Sequence, residues 1–137
     1  MDQLDGSGRS ALFIALKHNT QEVVKFLYEK GATAIATKDS WAKMLCTAGF
    51  DGNLDQIKLL HMCEVDLEQS DYDLRHIGHL AACEAHLDVL EFLASKTLFP
   101  FELEDRWGNS TWDEMKHNFN KNVVEQLKRE YNKKRKH

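Results

Sequence analysis

Two groups of residues have types and spacings that could support chemistry, and the first is a serine–lysine pair. Ser40 and Lys43 form an S-x-x-K pattern, in which one helical turn can bring a lysine amine beside a serine hydroxyl to activate it as a nucleophile. Nucleophilic catalysis also needs a pocket, donors for the developing oxyanion and a group that orients the base. The sequence shows none of these near the pair. We therefore expect Ser40 to cap a helix and the chain not to be an enzyme.

The second group contains soft metal ligands. His76, His79, Cys83 and His86 follow one another at spacings of 3, 4 and 3, which could place several ligands for zinc on one side of a helix. The family resemblance given below implies structural roles for two of them, with His79 bonding to turn backbone and His86 lying between two helices. That leaves His76 and Cys83 alone, so we expect no metal and no cofactor.

The elements that must position these residues repeat along the chain. Val24, Ile57, Leu90 and Val124 occupy equivalent places at steps of 33, 33 and 34 along the sequence. A period of this length is typical of proteins built from stacked helical units. Each unit is expected to pack its apolar face against the units before and after it.

Residues 10–32 read SALFIALKHNTQEVVKFLYEKGA, which resembles the ankyrin repeat pattern T-P-L-H-x-A-A-x-x-G-H-x-E-V-V-x-L-L-x-x-x-G-A. The resemblance implies an all-α ankyrin repeat solenoid of about four helix-turn-helix units in a single domain over 1–132, followed by a basic tail over 133–137. The four units are expected at 5–37, 38–70, 71–104 and 105–132.

Turn and cap residues set further expectations. The turn of the first unit is expected at 5–8 with Ser10 as a helix cap, and Gly31 should end the second helix in a left-handed conformation. The second unit lacks a turn signature at 38–40, so its tip should be irregular and its first helix should begin at Ser40 or Trp41.

The third unit departs from the ankyrin pattern at three positions. Leu74 stands where a turn glycine is expected, His76 where a capping threonine is expected, and Gly78 where a core leucine is expected. Each change should cost on the order of 1 kcal/mol of local stability.

A narrower resemblance covers the second half of the chain. Motifs such as Asp66-Leu-Glu-Gln, Asp71-Tyr-Asp, Asp105-Arg-Trp and Glu130-Tyr make residues 66–131 resemble the ankyrin tail that follows the catalytic domain of animal-type glutaminases. Residues 5–93, with Leu45-Cys and Gly52-Asn-Leu, are also similar to the ankyrin tails of large asparaginases. These resemblances imply a module for contacts and assembly, and they do not imply amidase activity.

Composition limits the class of protein. The chain has 137 residues, 42% of them hydrophobic and 29% charged, and no apolar run approaches the roughly 18 residues that a membrane helix needs. The first six residues are polar and acidic, unlike a signal peptide. The three cysteines are widely spaced, at 46, 63 and 83, which argues against a disulfide framework. We expect a cytoplasmic protein, and the basic C-terminus is also compatible with the nucleus.

We expect the chain to be an adaptor that binds a protein partner through its concave face as part of a larger assembly; the alternative is a regulatory or assembly tail related to glutaminase or asparaginase. Phe50, Tyr72 and Trp107 are expected to form an aromatic line flanked by charge, and aromatic residues and arginine often anchor interfaces. The predicted partner-binding residues are Lys17, His18, Phe50, Asp51, Tyr72, Asp73, Arg75, Glu84, Arg106, Trp107, Asn109 and His117.

Charge is distributed unevenly. The residues from 128 onward include six Lys or Arg and one Glu, so the net charge is +5 there and −9 before it. Lys133, Lys134, Arg135 and Lys136 could contact an acidic protein surface, serve as a nuclear-import signal or remain a solvated terminal run. The acidic body and the absence of aromatic residues among these bases argue against a nucleic-acid partner.

Overall fold

The computed structural model describes residues 11–18, 21–32 and 37–135, and within these ranges the chain is all helical with eight α-helices and no strand. The turn expected at 5–8, the cap expected at Ser10, and Lys136 lie outside the described residues. The helices are α1 (Ala11–Lys17), α2 (Gln21–Glu29), α3 (Lys38–Asp51), α4 (Leu54–Met62), α5 (Ile77–Cys83), α6 (Leu87–Lys96), α7 (Thr111–Asn118) and α8 (Lys121–Arg135).

The helices form four antiparallel pairs that stack into two layers. In the last three pairs, the first helices α3, α5 and α7 pack side by side, and the second helices α4, α6 and α8 do the same. In the first pair, α1 packs against both α2 and α4. The arrangement places the N-terminal ends of α5 and α7 at one edge of the stack.

The predicted period matches the core. Val24, Ile57, Leu90 and Val124 are all buried, and they belong to a single apolar cluster that continues through every helix pair. Burying one helical face against the neighbouring pair is what stabilises a stacked array, because no single pair encloses a core of its own.

The backbone repeats with the same spacing. Gly31 ends α2 with φ +85°, as predicted, and Glu64 adopts φ +61° at the equivalent position of the next helix pair. Gly52 and Ala85, which are likewise equivalent in successive pairs, adopt φ +70° and +59° in the turns between the first and second helices. The turns therefore keep their geometry even where glycine has been replaced.

Two glycines let neighbouring helices approach closely. A Cβ atom at Gly49 would lie 2.7 Å from the Ile77 carbonyl oxygen, and one at Gly78 would lie 2.5 Å from the Thr111 hydroxyl. The packing does not support the prediction that Gly78 costs stability by standing in place of a core leucine. Thr111 and Phe99 fill that space, and a side chain at residue 78 would clash with them.

Helix α3 begins earlier than predicted. Thr37, rather than Ser40, is the N-cap, and its hydroxyl accepts a hydrogen bond from the Ser40 N–H over 3.2 Å. Because α5 starts at Ile77, the equivalent start in this pair would be residue 44, so α3 carries about one and a half additional turns. Helix thus occupies the place where a tip turn was expected.

The two ends of the stack differ. Helix α8 continues to Arg135, past the expected boundary at 132, and Arg135 donates to the Ala94 carbonyl over 2.8 Å while its guanidinium lies 3.6 Å from the centre of the Tyr131 ring. At the other end, Val23 and Phe26 of α2 are 46% and 57% exposed. No described helix is long and apolar enough to cross a membrane.

Candidate functional site

Two tips with the same hydrogen-bonding pattern precede α5 and α7. Asp71 Oδ1 accepts from the N–H groups of Asp73 and Arg75 over 2.9 and 3.0 Å. Asp105 Oδ1 accepts in the same way from the residues two and four positions later, over 2.9 Å each. Each tip also closes a β-turn, from the Leu74 N–H to the Asp71 carbonyl in one and from Gly108 to Asp105 in the other.

The two tips bind each other directly. The Arg106 backbone N–H donates to the Asp73 carbonyl over 2.7 Å, and Arg106 Nη1 lies 3.5 Å from Asp73 Oδ1. Both side chains are solvent-accessible, so the ion pair contributes little stability. The backbone hydrogen bond between Arg106 and Asp73 is the contact that holds the tips in register at the edge of the stack.

Large apolar side chains project from these tips. Tyr72 is 90% exposed, Trp107 is 63% exposed and Leu74 is 51% exposed. Leu74 also has φ +59°, at the position where Gly108 has φ +80°, which agrees with the expectation that leucine replaces a turn glycine at an energetic cost. Strained backbone of this kind is common at functional sites, and here it presents an apolar side chain to solvent.

His79 connects the tips to the helices beneath them. Its Nδ1 accepts from the His76 N–H over 3.0 Å, and its Nε2 lies 2.7 Å from the Asn109 carbonyl oxygen. Because a backbone N–H can only donate and a carbonyl can only accept, the ring carries its proton on Nε2. Both nitrogens are used, as the predicted bond to turn backbone requires.

His86 has a comparable role at the opposite edge of the stack. Its Nε2 lies 2.8 Å from the Phe50 carbonyl oxygen, and a Cβ atom at Gly52 would lie 2.5 Å from its Nδ1. Across the described residues, no group of three or more His, Cys, Asp or Glu side chains is arranged to hold a metal ion. His79 and His86 therefore each serve a structural role, in different parts of the stack.

Burial affects the remaining titratable groups of this region. Desolvation, and then the neighbouring His79, lower the pKa of His76. Desolvation raises the pKa of Cys46 to about 11, and its thiol donates to the Arg75 carbonyl over 3.7 Å. Burial also raises the pKa of Cys63, whereas Cys83 is exposed; all three cysteines are free.

The structure separates the predicted partner-binding residues into two sets at opposite ends of the first helices. These ends are about 10 Å apart along α5, a helix of seven residues. Phe50 therefore does not lie beside Tyr72 and Trp107. The tips carry Tyr72, Asp73, Arg75, Arg106, Trp107 and Asn109, and the C-terminal ends of the first helices carry Lys17, His18, Phe50, Asp51, Glu84 and His117.

Most of these side chains are accessible. Phe50 is 51% exposed, and it does not pack between helix pairs. Arg75 and Asp73 are partly buried, and Arg75 is engaged through its main chain, which donates to Asp71 and accepts from the Cys46 thiol. Among the predicted set, the aromatic side chains at the tips are more exposed than Phe50.

Two open grooves flank α3. One, of about 460 Å³, lies against α1 and is lined by Phe13, Lys17, Ser40, Lys43 and Gln56 among others. The other, of about 710 Å³, lies between α3 and residues 70–74. Sequence reasoning missed this second groove because it arises from the early start of α3. A threonine followed by an acidic residue at 37–39 is the signal that could have revealed that start.

Ser40 and Lys43 both line the smaller groove. The Ser40 oxygen accepts a hydrogen bond from the Thr37 hydroxyl over 2.8 Å, so the serine belongs to the cap of α3. The groove is open to solvent; within this helical turn Ser40 is partly buried and Lys43 is exposed. This arrangement supplies a polar surface suited to contact.

The basic C-terminal residues are also divided. Lys133 and Lys134 are exposed on the last turn of α8. Arg135 donates to the carbonyls of Ala94, Phe99 and Tyr131 and is therefore part of the fold. An acidic surface could meet the two lysines, while Arg135 closes the end of the stack.

Comparison with known proteins gives partial matches. No protein-family profile matches the chain. A stretch of 70 residues, 51% of the chain, is 37% identical to the glutaminase liver isoform, mitochondrial, of Rattus norvegicus and covers 12% of that protein. Over 86 residues, 63% of the chain, it is 30% identical to an L-asparaginase of Dirofilaria immitis and covers 14% of it. A putative glutaminase 2 of Caenorhabditis elegans is 35% identical over 65 residues, 47% of the chain and 11% of that protein.

The chain therefore spans about one eighth of the length of these relatives. The predicted resemblance to parts of glutaminases and asparaginases is confirmed at this level. The similarity concerns a region that is a small share of each relative.

Proposed function

We propose that this chain is a non-catalytic, ankyrin-type module that serves the assembly or regulation of an amidohydrolase. The observation that carries the proposal is similarity to both glutaminases and an L-asparaginase, over 65 to 86 residues in each comparison. A segment shared by two kinds of enzyme and covering about one eighth of each is better suited to a common accessory role than to either reaction.

The ankyrin-type fold is supported by geometry that recurs along the chain. Four helix pairs stack with equivalent buried residues at nearly constant steps, and positive φ values return at the same spacing in the turns. The tips at 71–75 and 105–109 share their hydrogen bonds and pair with each other. Stacked arrays of this kind present extended surfaces for binding.

A non-enzymatic role is supported by the surroundings of the one sequence pattern that suggested catalysis. Ser40 is held in a helix cap by Thr37, and the groove that it shares with Lys43 is open. Nucleophilic catalysis depends on preorganised donors in a site from which water is excluded. An open surface groove offers contact instead.

The partner surface that we propose is the tip edge. Tyr72, Leu74 and Trp107 are exposed there, beside the paired charges of Asp73 and Arg106. Aromatic residues and arginine carry a large share of interface energy because they bury much area with few rotatable bonds. Lys133 and Lys134 would add an electrostatic contact to an acidic partner.

A tagged form of the chain, purified from its own cells and analysed by mass spectrometry, tests the proposal. We expect a glutaminase or asparaginase to co-purify, and a purified amidohydrolase to bind the chain directly. Replacing Tyr72 and Trp107 by Ala should weaken that binding about tenfold or more, because each ring would lose its buried area. Lys25→Ala, an exposed change on α2, should leave it unaltered.

The second candidate is a stand-alone adaptor that binds another protein through the same concave face and tips. The exposure of Tyr72 and Trp107 supports this candidate as well as the first, because both rings could contact any protein partner. Recovery of unrelated proteins, with no amidohydrolase enriched and no direct binding to one, would select this candidate.

We propose a reducing compartment, the cytoplasm in the first instance, in which the three cysteines would stay free. Relatives in rat and mouse are named as mitochondrial. Imaging of the tagged full-length protein against mitochondrial and nuclear markers decides between these compartments.

A further inference from the structure

The row of tips at the edge of the stack has a vacant position beside Tyr72. The Arg106 N–H donates to the Asp73 carbonyl of the preceding tip. Tyr72 is the counterpart of Arg106 in that preceding tip, directly after the turn aspartate. Among the described residues, none accepts a hydrogen bond from the Tyr72 N–H. The described residues one period before this tip, 38–42, lie within α3 and therefore form no equivalent tip beside Tyr72.

A groove occupies the corresponding space. It has a volume of about 710 Å³ and runs between α3 and residues 70–74. Ala42 and Cys46 contribute the wall on α3, while Tyr72 and Leu74 contribute the wall on the tip. Lys38, Asp39 and Lys43 also line the groove, so it combines apolar and charged side chains with an unpaired backbone donor at its edge. Backbone hydrogen bonds and side-chain pockets are the features by which extended peptides are recognised.

We propose that an extended segment of a partner protein adds to this edge, with one of its carbonyl groups accepting from the Tyr72 N–H and an apolar side chain lying in the groove. The segment would continue the pairing already present between Arg106 and Asp73. This main-chain hydrogen bond would contribute affinity, and the fit of the side chain against Ala42 and Leu74 would provide selectivity. The inference rests on the proposed role of the chain as a protein-binding module, and it specifies the form of the partner.

The strain at Leu74 fits this assignment. Leu74 keeps φ +59° although its side chain is half exposed. In the free protein, the partial burial of the side chain therefore offsets little of the energetic cost of the left-handed backbone. A partner side chain seated in the groove would bury Leu74. The leucine is then useful in the complex, where a glycine would offer no side chain to contact.

The position of Tyr72 permits a sharp test. Tyr72 follows Asp71 in a β-turn closed by the Leu74 N–H, and proline is favoured at this second position of common turns. The internal bonds of the tip use the N–H groups of Asp73, Leu74 and Arg75. Tyr72→Pro therefore removes the edge donor without removing an internal bond, and Tyr72→Ala is its matched control, because both lack the ring but only alanine keeps the N–H.

The probe is a displayed library of random 12-residue linear peptides, selected on the wild-type chain and measured as synthetic peptides by calorimetry. We expect selected peptides that bind Tyr72→Pro at least tenfold more weakly than Tyr72→Ala, while the two variants unfold at similar temperatures. Equal affinity for the two variants would overturn the proposal, as would failure to enrich any peptide that depends on this position.

Hydrogen exchange keeps the test decisive if Tyr72→Pro does not fold. In the wild-type chain, the Tyr72 amide should exchange rapidly alone and become protected when a selected peptide is added, whereas the Arg106 amide should be protected throughout. A Tyr72 amide that stays unprotected in the complex overturns the proposal. Concentration-dependent dimers abolished by Tyr72→Ala would assign the edge to a second copy of the chain and also overturn it.

These outcomes are separable from the test of the proposed function. If Tyr72→Ala and Tyr72→Pro captured an amidohydrolase equally well, the proposed function would be supported. The proposal that an extended partner segment bonds to the Tyr72 N–H would be overturned. If peptides required the Tyr72 N–H but no amidohydrolase bound the chain, the peptide site would be supported and the proposed function would be overturned.

Discussion

The imidazole of His79 joins the start of α5 to the tip before α7, since its Nε2 lies 2.7 Å from the Asn109 carbonyl oxygen and its Nδ1 lies 3.0 Å from the His76 nitrogen. The ring is fully buried. One side chain therefore satisfies a donor from its own helix pair and an acceptor from the next.

Replacing His79 by Phe should destabilise the fold by about 2–4 kcal/mol, because a buried N–H and a buried carbonyl would each lose a partner. Urea unfolding followed by circular dichroism measures the change. His117→Ala, at an exposed site on α7, should stay within about 0.5 kcal/mol of wild type. Similar stability of the two variants would contradict the linking role of His79.

Exchanging the residues at equivalent turn positions should produce opposite effects. Leu74→Gly should stabilise the chain by about 0.5–1 kcal/mol by relieving the positive φ, and Gly108→Ala should destabilise it by about 1 kcal/mol by introducing the same strain. Open space surrounds the Gly108 Cα, so steric contact does not contribute. Melting temperatures that move in the same direction would refute the assignment of strain.

A side chain at residue 78 should be poorly tolerated. Gly78→Ala would bring a Cβ atom to 2.5 Å from the Thr111 hydroxyl and 2.9 Å from the Phe99 ring, and we expect a loss of about 1–3 kcal/mol. Combining it with Thr111→Ala should restore part of that loss, because the closer obstacle is removed. Calorimetric unfolding of the two single variants and the double variant gives the coupling. A stable Gly78→Ala single variant would show that α5 and α7 are further apart.

Stability should fall in mild acid because of His76. Burial, followed by the nearby His79, lowers its folded-state pKa below 6.5, while Asp71 and Asp66 oppose this shift. The unfolded chain therefore takes up the proton more readily, and the stabilisation is complete above about pH 6.5 and is lost as the pH falls through the lower folded-state pKa.

Denaturant midpoints measured from pH 8 to 5 test this prediction. His76→Ser, which replaces the titrating ring with a residue favoured at helix N-caps, should flatten the dependence in this range. An equally steep decline in the variant would place the responsible proton elsewhere.

Local and periodic features were predictable from the sequence. The helix pairs, the evenly spaced buried positions, the end of α2 at Gly31 and the structural roles of His79 and His86 all follow from patterns within one repeat unit. Each of these depends on nearby residues or on comparison of one unit with the next, and sequence contains that information directly.

Features that depend on contact between units were not predictable. The clash that Gly78 avoids comes from Thr111, which belongs to the next helix pair, and the first turns of α3 displace a tip whose absence opens the groove beside Tyr72. Arg135 looked like part of a solvated basic run, yet its carbonyl acceptors Ala94 and Phe99 are brought to it only by folding. The separation of Phe50 from the tip residues likewise follows from the direction of α3.

The contacts of Arg135 make the two ends of the stack unequal in stability. In a linear array each pair depends on its neighbours, so melting proceeds inward from whichever terminus is held less firmly. One terminus is fastened by a guanidinium over the Tyr131 ring, while the other leaves Val23 and Phe26 in water. Unfolding should therefore begin at α1 and α2, and the backbone amides of α8 should be among the last to exchange with solvent hydrogen.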